Sequence, residues 1–305
     1  MRDSFANTLL EEAKKNSSIV LMTGDLGFGV LDKFQQELPK QFINAGVAEQ
    51  TMMGMAAGIA STGKRVFVYS IGNFPTLRCL EQIRNDVCSM NNSVVVVSVG
   101  AGYAYGSQGY THHALEDIAI MRALPNMDVL VPADPQEASL LTKHLADTQK
   151  PSYLRLGKSN EAIIHKEKIR ISPGHILKLK SGNRGTILFS GSIGVLALQA
   201  SEILERMGIS VTVASMPFVS DIDVDFLKKA SSSGPIVVLE EHSQRGGVGS
   251  AVLETLARHR ISGDVRLITS TQFNLAVIGD QDYLRTRNGL STEEIIAEFV
   301  MPNGR

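Results

Sequence analysis

The stretch Ser93-Val94-Val95-Val96-Val97-Ser98-Val99 decides the fold class of this chain. Its four consecutive valines show no alternation between polar and apolar residues, which is the pattern of a strand covered on both faces. Strands of this kind lie inside parallel sheets that carry helices on either side. The stretch therefore predicts a central strand of an α/β fold.

Short apolar runs alternate with helical periodicity on both sides of this strand. That order is typical of strands joined by crossover helices in a parallel sheet. Further strands are predicted at Ser18 to Thr23, Arg65 to Ser70, Asp128 to Val131 and Ser152 to Leu156. Helices are predicted at Asp3 to Asn16, Glu49 to Thr62, Pro75 to Met90, Ala114 to Ala123 and Pro135 to Asp147. These elements predict a first domain over residues 1–165.

A second group of elements follows a charged, weakly periodic segment from Asn160 to Gly174, which we interpret as a linker. Strands are predicted there at Thr186 to Ser190, Ser210 to Ala214, Pro235 to Glu240 and Asp264 to Thr269. Helices are predicted at Gly194 to Met207, Gly249 to Arg258 and Thr292 to Val300. The sequence thus predicts a second, smaller α/β domain over residues 175–305.

Composition narrows the class of function. Lys plus Arg number 30 against 31 Asp plus Glu, so the formal charge of -1 gives no bulk attraction for nucleic acid or an acidic membrane surface. Cys79 and Cys88 are the two cysteines and form no CxxC pair, which favours buried structural thiols in a reducing compartment. The amino-terminal residues lack the pattern of a signal peptide, and no apolar run approaches about 20 residues. We expect a soluble cytoplasmic protein without nucleic-acid or membrane partners.

Two glycine-rich segments do not match nucleotide-binding motifs. Tyr105 stands where the third glycine of GxGxxG would follow Gly100-Ala101-Gly102. The segment Gly246 to Ser250 opens a predicted helix and has no lysine at Walker spacing, so close helix packing is favoured over a phosphate site. The adjacent His112 and His113 cannot both face one ion from a regular helix, and we expect no metal site in this chain.

Several motifs follow one another along the chain. They are Asn44 to Gln50, Arg78 to Asn85, Gly109 to His112, Leu130 to Asp134, and Glu240 to His242 with the glycine loop to Ser250. In this order they resemble the motifs of the transketolase family, which includes transketolases, 1-deoxyxylulose-5-phosphate synthases and the beta subunits of 2-oxo acid dehydrogenases. The resemblance implies a thiamin diphosphate-binding pyrimidine domain with a parallel sheet, followed by a transketolase C-terminal domain.

The resemblance also implies roles toward thiamin diphosphate. Glu49 would share a proton with the pyrimidine nitrogen N1′ and so hold the aminopyrimidine in its reactive tautomer. The alternative is an ordinary first-turn glutamate favoured by the helix dipole. Phe74 would stack on the aminopyrimidine ring, with Tyr69 as a rival for that contact and an ordinary core phenylalanine as the alternative.

Four more residues are implied on the substrate side. His112 matches the substrate-facing histidine of the family and would hydrogen-bond or protonate the adduct oxygen. Gln108 stands where relatives commonly carry aspartate, which implies a different recognition of substrate hydroxyl groups at that wall. Arg155 and Lys158 are candidates for binding a substrate phosphate, with a solvated surface pair as the alternative.

The sequence lacks the family's Gly-Asp-Gly segment, which holds the diphosphate and a divalent cation. Each Gly-Asp pair, at Gly24, Gly263 and Gly279, is followed by a residue other than glycine. The resemblance therefore implies a partner subunit that carries this motif and holds Mg²⁺ or Ca²⁺, in an assembly with two copies of each chain.

The leading interpretation is transfer of a two-carbon ketol unit between sugar phosphates or related sugars. Two alternatives stay open at this point. One is decarboxylation of a 2-oxo acid, as in deoxyxylulose phosphate synthases or dehydrogenase beta subunits, and the other is a scaffold subunit without catalytic function.

Overall fold

Two β-sheets organise the chain in a computed structural model, which describes residues 1–271 and 277–301. The first sheet contains β1 (Ile19–Thr23), β2 (Phe42–Asn44), β3 (Arg65–Ile71), β4 (Val94–Val99), β5 (Asp128–Leu130) and β6 (Ser152–Leu156). Its strand order is β2-β1-β3-β4-β6-β5, and every neighbouring pair is parallel. Loops at the carboxyl ends of β2, β3 and β4 therefore share one edge of the sheet.

The strand predicted to be central has this position. Val94 and Val96 of β4 belong to a core on the face that α3 covers, whereas Val95 and Val97 belong to a core on the face under α1 and α6. All six residues of β4 are buried, as the valine run requires. The predicted α/β class is thus confirmed.

Helices of this first part connect the strands. They are α1 (Arg2–Lys15), α2 (Asp32–Glu37), α3 (Glu49–Ala60), α4 (Leu80–Gln82), α5 (Asp117–Arg122) and α6 (Pro135–Asp147). The start of α6 shows how local sequence fixes a helix end. Pro135 occupies its first turn, and the Asp134 carboxylate accepts a hydrogen bond of 2.8 Å from the backbone N–H of Glu137.

The second sheet contains β7 (Leu177–Lys180), β8 (Thr186–Ser190), β9 (Thr212–Ser215), β10 (Ile236–Ser243) and β11 (Val265–Ser270). Its order is β11-β10-β8-β9-β7, and only the edge strand β7 runs antiparallel to its neighbour. The helices here are α7 (Gly194–Arg206), α8 (Val224–Ser232), α9 (Val248–Arg258), α10 (Gln281–Arg287) and α11 (Thr292–Val300). In the described ranges, no helix is both long and apolar enough to span a membrane.

Two predicted helices differ from those observed. The helix predicted from Ala114 begins at Asp117, because Ala114 forms bridges with Ala101 and Gly102 instead. The helix predicted from Pro75 to Met90 is divided into a 3₁₀ turn at Leu77–Cys79, α4, and a π-helix at Ile83–Cys88. The segment that holds Arg78 is therefore irregular.

The two parts of the chain share one continuous apolar core. Residues of α3, β1, β3 and β4 belong to the same buried cluster as residues of β8, β10 and α9. A backbone hydrogen bond of 2.8 Å from Val131 N–H to Pro217 C=O adds a direct link. Both cysteines lie buried as free thiols, and burial raises the pKa of Cys79 to about 12 and that of Cys88 to about 11.

Candidate active site

Glu49 is the first residue of α3, at the shared edge of the first sheet. The chain reaches it from β2 through Gly46, whose φ of +72° is a left-handed conformation that glycine adopts readily. The Asn44 side chain fixes this turn by accepting a hydrogen bond of 3.0 Å from Gly46 N–H. Only 5% of Glu49 is exposed, and its carboxylate lies at the helix N-terminus, where the dipole favours negative charge.

Arg78 contacts this carboxylate. Its Nη1 donates a hydrogen bond of 2.9 Å to Glu49 Oε2, and within the described ranges Glu49 has no other side-chain hydrogen-bond partner. The Arg78 side chain is 48% exposed, and its Cζ lies 4.6 Å from the centroid of the Phe74 ring. The guanidinium therefore binds Glu49 and covers Phe74 at the same time.

Phe74 and His112 come from neighbouring loops, after β3 and β4. Their ring centroids are 5.2 Å apart with an interplanar angle of 74°, so the two rings meet edge to face. The Asn73 side chain joins the two loops by donating a hydrogen bond of 2.6 Å to the carbonyl of His113. The structure thus links Glu49, Phe74 and His112 into one cluster, because Arg78 joins Glu49 to Phe74 and Phe74 contacts His112. We call it the Glu49 cluster.

A buried histidine supports the loop that carries His112. The His113 ring packs edge to face against Tyr103, at a centroid distance of 5.2 Å. Burial lowers the pKa of His113, so its imidazole is neutral near pH 7. Asn73 Oδ1, next to this loop, is buried without a hydrogen-bond partner in the described parts of the chain.

Gln108 and Lys158 are exposed near this edge of the sheet. Gln108 ends a 3₁₀ turn at Gly106–Gln108, on the same loop as His112. Lys158 follows β6, and its Nζ lies 5.1 Å from the centroid of the Tyr105 ring. Both side chains are accessible to a ligand.

Tyr69 is not brought to the Glu49 cluster. It is 2% exposed and stacks on Phe5 of α1, with ring centroids 5.9 Å apart. That contact lies on the α1 face of the first sheet, opposite the face that α3 covers. Phe74, which Arg78 links to Glu49, is therefore the aromatic residue of the Glu49 cluster.

Arg155 lies in a buried ion pair. Its Nε donates to Asp117 Oδ2 at 2.7 Å, and its Nη2 donates to the carbonyls of Ala114 and Glu241 at 2.6 and 3.0 Å. Burial alone would raise the pKa of Asp117, but the charges of Arg155 and His242 and the hydrogen bonds from Arg155 and Tyr153 together keep that pKa below its ordinary value. A phosphate could reach this guanidinium only if the ion pair opened.

The glycine loop before α9 binds the side chain of Glu240, a residue of the same chain. The Glu240 carboxylate accepts hydrogen bonds of 2.6 and 2.9 Å from the backbone N–H groups of Val248 and Gly249. A Cβ on Gly247 would lie 2.2 Å from Glu240 Oε2. This helix N-terminus is thus neutralised internally, and its glycine allows close packing.

A metal cluster is absent from the part of the chain that the structure describes, where no three His, Cys, Asp or Glu side chains converge. Sequence reasoning assigned no role to Arg78, although this residue lies in one of the matching motifs. Its contact with Glu49 joins residues 29 positions apart, and no local pattern indicates such a pair.

Comparisons with known proteins agree with this architecture. Residues 1–162 match the family "Transketolase, pyrimidine binding domain", and residues 174–295 match "Transketolase, C-terminal domain". A subunit of the apulose-4-phosphate transketolase of Phocaeicola vulgatus is 36% identical over 98% of this chain and 97% of its own length. A solved structure described as a split gene transketolase, inactive beta4 tetramer, is 34% identical and superposes with a TM-score of 0.86 over 97% of this chain and 95% of its own.

A relative with another activity matches in part. The 1-deoxy-D-xylulose-5-phosphate synthase of Gloeothece citriformis is 35% identical over 84% of this chain but only 41% of its own length. The apulose-4-phosphate transketolase subunit and the split gene transketolase, in contrast, each match over almost the whole of both chains. The chain therefore belongs to the transketolase family, as a transketolase-type transferase subunit composed of the pyrimidine-binding and C-terminal domains.

Proposed function

We propose that this chain forms the aminopyrimidine side of a thiamin diphosphate-dependent active site, which a partner subunit completes. The assembled enzyme would transfer a two-carbon ketol unit between sugar phosphates or related sugars. The single observation that carries the proposal is the Glu49 cluster: a nearly buried carboxylate at a helix start, beside a half-buried aromatic ring and an imidazole.

The residues of this cluster fit the pyrimidine end of the cofactor. A carboxyl group that carries a proton can donate a hydrogen bond to a ring nitrogen, and a phenylalanine face can stack on a flat heteroaromatic ring. When bound, thiamin diphosphate supplies the carbon nucleophile and electron sink that ketol transfer needs. We assign Glu49 the task of holding the proton shared with N1′, and Phe74 the task of orienting the ring.

Substrate contacts are proposed for the loop that carries His112. Its imidazole and the Phe74 ring pack edge to face, so it would lie near a substrate bound beside the pyrimidine and hydrogen-bond the reacting oxygen. Gln108, exposed on the same loop, would contact substrate hydroxyl groups. Lys158 is the exposed candidate for a substrate phosphate, whereas Arg155 would need to leave Asp117 to take that role.

A partner subunit would hold the diphosphate and the divalent cation. The sequence of this chain lacks a Gly-Asp-Gly segment, and relatives that match along nearly their whole length are described as a transketolase subunit or as a split gene product. We propose an N-terminal transketolase-like partner with that motif and Mg²⁺ or Ca²⁺, in an α2β2 assembly. Identification of the partner and assays with candidate sugars would identify the pathway and the substrate.

The test is substitution of Glu49 in the reconstituted pair. Glu49→Gln should lower kcat for ketose phosphate donors by at least about 100-fold, because general acid–base contributions are on the order of 10²–10⁴. Glu202→Gln, at an exposed glutamate of α7, serves as the matched control and should keep full activity. Equal rates for both variants would refute a catalytic Glu49 and favour a scaffold role.

The partial match to a synthase makes decarboxylation of a 2-oxo acid the competing reaction to test. The same reconstituted pair should be assayed with pyruvate and glyceraldehyde 3-phosphate, measuring CO₂ release. We expect ketol transfer to exceed decarboxylation. Faster CO₂ release would assign the chain to the 2-oxo acid branch of the family.

A further inference from the structure

We infer that Arg78 occupies the aminopyrimidine position in the free subunit, and that the cofactor must displace it. This inference rests on the proposed roles of Glu49 and Phe74. Arg78 binds Glu49 Oε2 at 2.9 Å and lies over the Phe74 ring at 4.6 Å. Both groups assigned to the pyrimidine are therefore already engaged by one side chain.

The chemistry of the two occupants is alike. A guanidinium is a planar N–C–N group that donates hydrogen bonds to a carboxylate and stacks on aromatic faces. An aminopyrimidine also presents a planar ring with nitrogen atoms at its edge, and it would use the same carboxylate and the same ring face. Because the Phe74 face that Arg78 covers cannot stack on both planar groups at once, Arg78 acts as an internal competitor.

The backbone at Arg78 can stay in place while its side chain leaves. Gln50 Nε2 donates a hydrogen bond of 3.1 Å to the carbonyl of Arg78, and Arg78 N–H donates one of 3.3 Å to the carbonyl of Asn73. The side chain beyond is about half exposed, so water is available to solvate the released guanidinium. Displacement therefore needs only rotation about side-chain bonds.

Replacement of Arg78 by the cofactor would also leave the Glu49 carboxyl group with a hydrogen-bond partner. Glu49 is nearly buried, and a buried carboxylate without a partner is costly. In the free subunit Arg78 provides that partner, and in the assembled enzyme the pyrimidine nitrogen would replace it. Arg78 is thus a positioning residue with two states, one for the free chain and one for the cofactor-bound complex.

The test compares thiamin diphosphate binding to complexes of the partner with wild-type, Arg78→Ala and Arg78→Lys chains, by calorimetry with Mg²⁺. The apparent Kd equals the intrinsic Kd divided by the fraction of sites that are competent to bind. If Arg78 fills about nine sites in ten, Arg78→Ala should lower Kd by about tenfold. Arg78→Lys keeps the charge but loses the planar group, so its Kd should lie between the two. Arg206→Ala, at an exposed arginine that ends α7, should bind like wild type.

Each result decides between the alternatives. A lower Kd for Arg78→Ala with unchanged thermal stability supports displacement. An equal or higher Kd overturns it and makes Arg78 a residue that holds the cofactor or the fold. The function of Glu49 is tested separately, by measuring activity. If Glu49→Gln abolishes activity both in the wild-type chain and in the Arg78→Ala variant, the proposed function is supported whether the Kd for thiamin diphosphate rises or falls.

Discussion

At the residue scale, three side chains from three separate loops form the Glu49 cluster. Glu49 begins α3, Phe74 follows β3, and His112 follows β4. They meet because parallel strands place their carboxyl ends at one edge of the sheet. The Phe74 ring of this cluster, and the buried His113 next to His112 in the chain, lead to two predictions.

Phe74→Ala should raise the Kd for thiamin diphosphate by about 3- to 10-fold, since an aromatic pair contributes about 0.5–1.5 kcal/mol beyond its buried area. Phe74→Tyr keeps the ring and serves as the matched variant, with a Kd close to wild type. Calorimetry on the reconstituted complex measures both. A loss of affinity that is equal in the two variants would argue against stacking.

The second residue-scale prediction concerns pH. Burial lowers the pKa of His113 from its ordinary value of 6.5, so the unfolded chain binds a proton at higher pH than the folded chain does. The stability that His113 contributes is therefore present above pH 6.5 and is lost as the pH falls below it. His113→Gln should reduce this slope in urea unfolding measured between pH 5 and 7.5.

The same measurement on His165→Gln provides the contrast. Burial alone would lower the pKa of His165, but its hydrogen bond of 2.7 Å to Glu137 and the negative charges of Glu137 and Asp134 together raise it. Its contribution is complete below pH 6.5 and is lost at higher pH, so this variant should lose less stability at high pH than at low pH. Slopes that change in the same direction for both variants would contradict the assignment.

Part of the site followed from sequence and part did not. Glu49 and His112 stand in ordered motifs, and the resemblance indicated them without coordinates. The position of Arg78 over Phe74, and the burial of Arg155 against Asp117, depend on how distant segments pack. Charge and strand position gave no signal that Arg155 points into the protein.

At the element scale, the predicted helices and strands agree best with the structure where the element buries much apolar surface. The strand Ser152 to Leu156, the helix Pro135 to Asp147 and the helix Thr292 to Val300 have the predicted bounds. The missed β7 is a four-residue antiparallel edge strand with alternating lysines, and the missed α2 buries only Phe34. Short elements with little apolar surface carry too weak a periodic pattern for prediction.

The Glu240 cap on α9 gives an element-scale prediction. Glu240→Ala would leave the buried N–H groups of Val248 and Gly249 without acceptors, at about 1–3 kcal/mol for each unsatisfied group. We expect a fall of about 2–6 kcal/mol in the free energy of unfolding, measured with urea. Asp225→Ala removes an exposed first-turn carboxylate of α8 and should change it by less than about 0.5 kcal/mol.

At the scale of the whole molecule, Arg155 joins the two parts of the chain. It bonds to Asp117 in the first part and to the carbonyl of Glu241 in the second. Removing one partner of a buried ion pair typically costs about 3–5 kcal/mol, so Arg155→Ala should lower the free energy of unfolding by that amount. Lys158→Ala should leave it unchanged. A stable Arg155→Ala chain with a raised KM for phosphorylated substrates would instead support phosphate binding.

The proposed assembly predicts an interface beside Glu49. Val47 is 75% exposed two positions before Glu49, so a partner that closes the site over Glu49 would cover this side chain. Val47→Asp should weaken association with the partner by at least about tenfold in sedimentation velocity, because a desolvated charge would be unpaired. Met207→Asp, at an exposed methionine after α7, is the control and should associate normally.

The buried cysteines have a practical consequence for following that assembly. Thiols with pKa values near 12 and 11 are almost entirely protonated at pH 7.5, and neither Cys79 nor Cys88 is open to a reagent. The wild-type chain should therefore not react with maleimide reagents while it is folded. One cysteine introduced by Val47→Cys would carry a dye alone, and its protection from labelling would report when the second protein arrives.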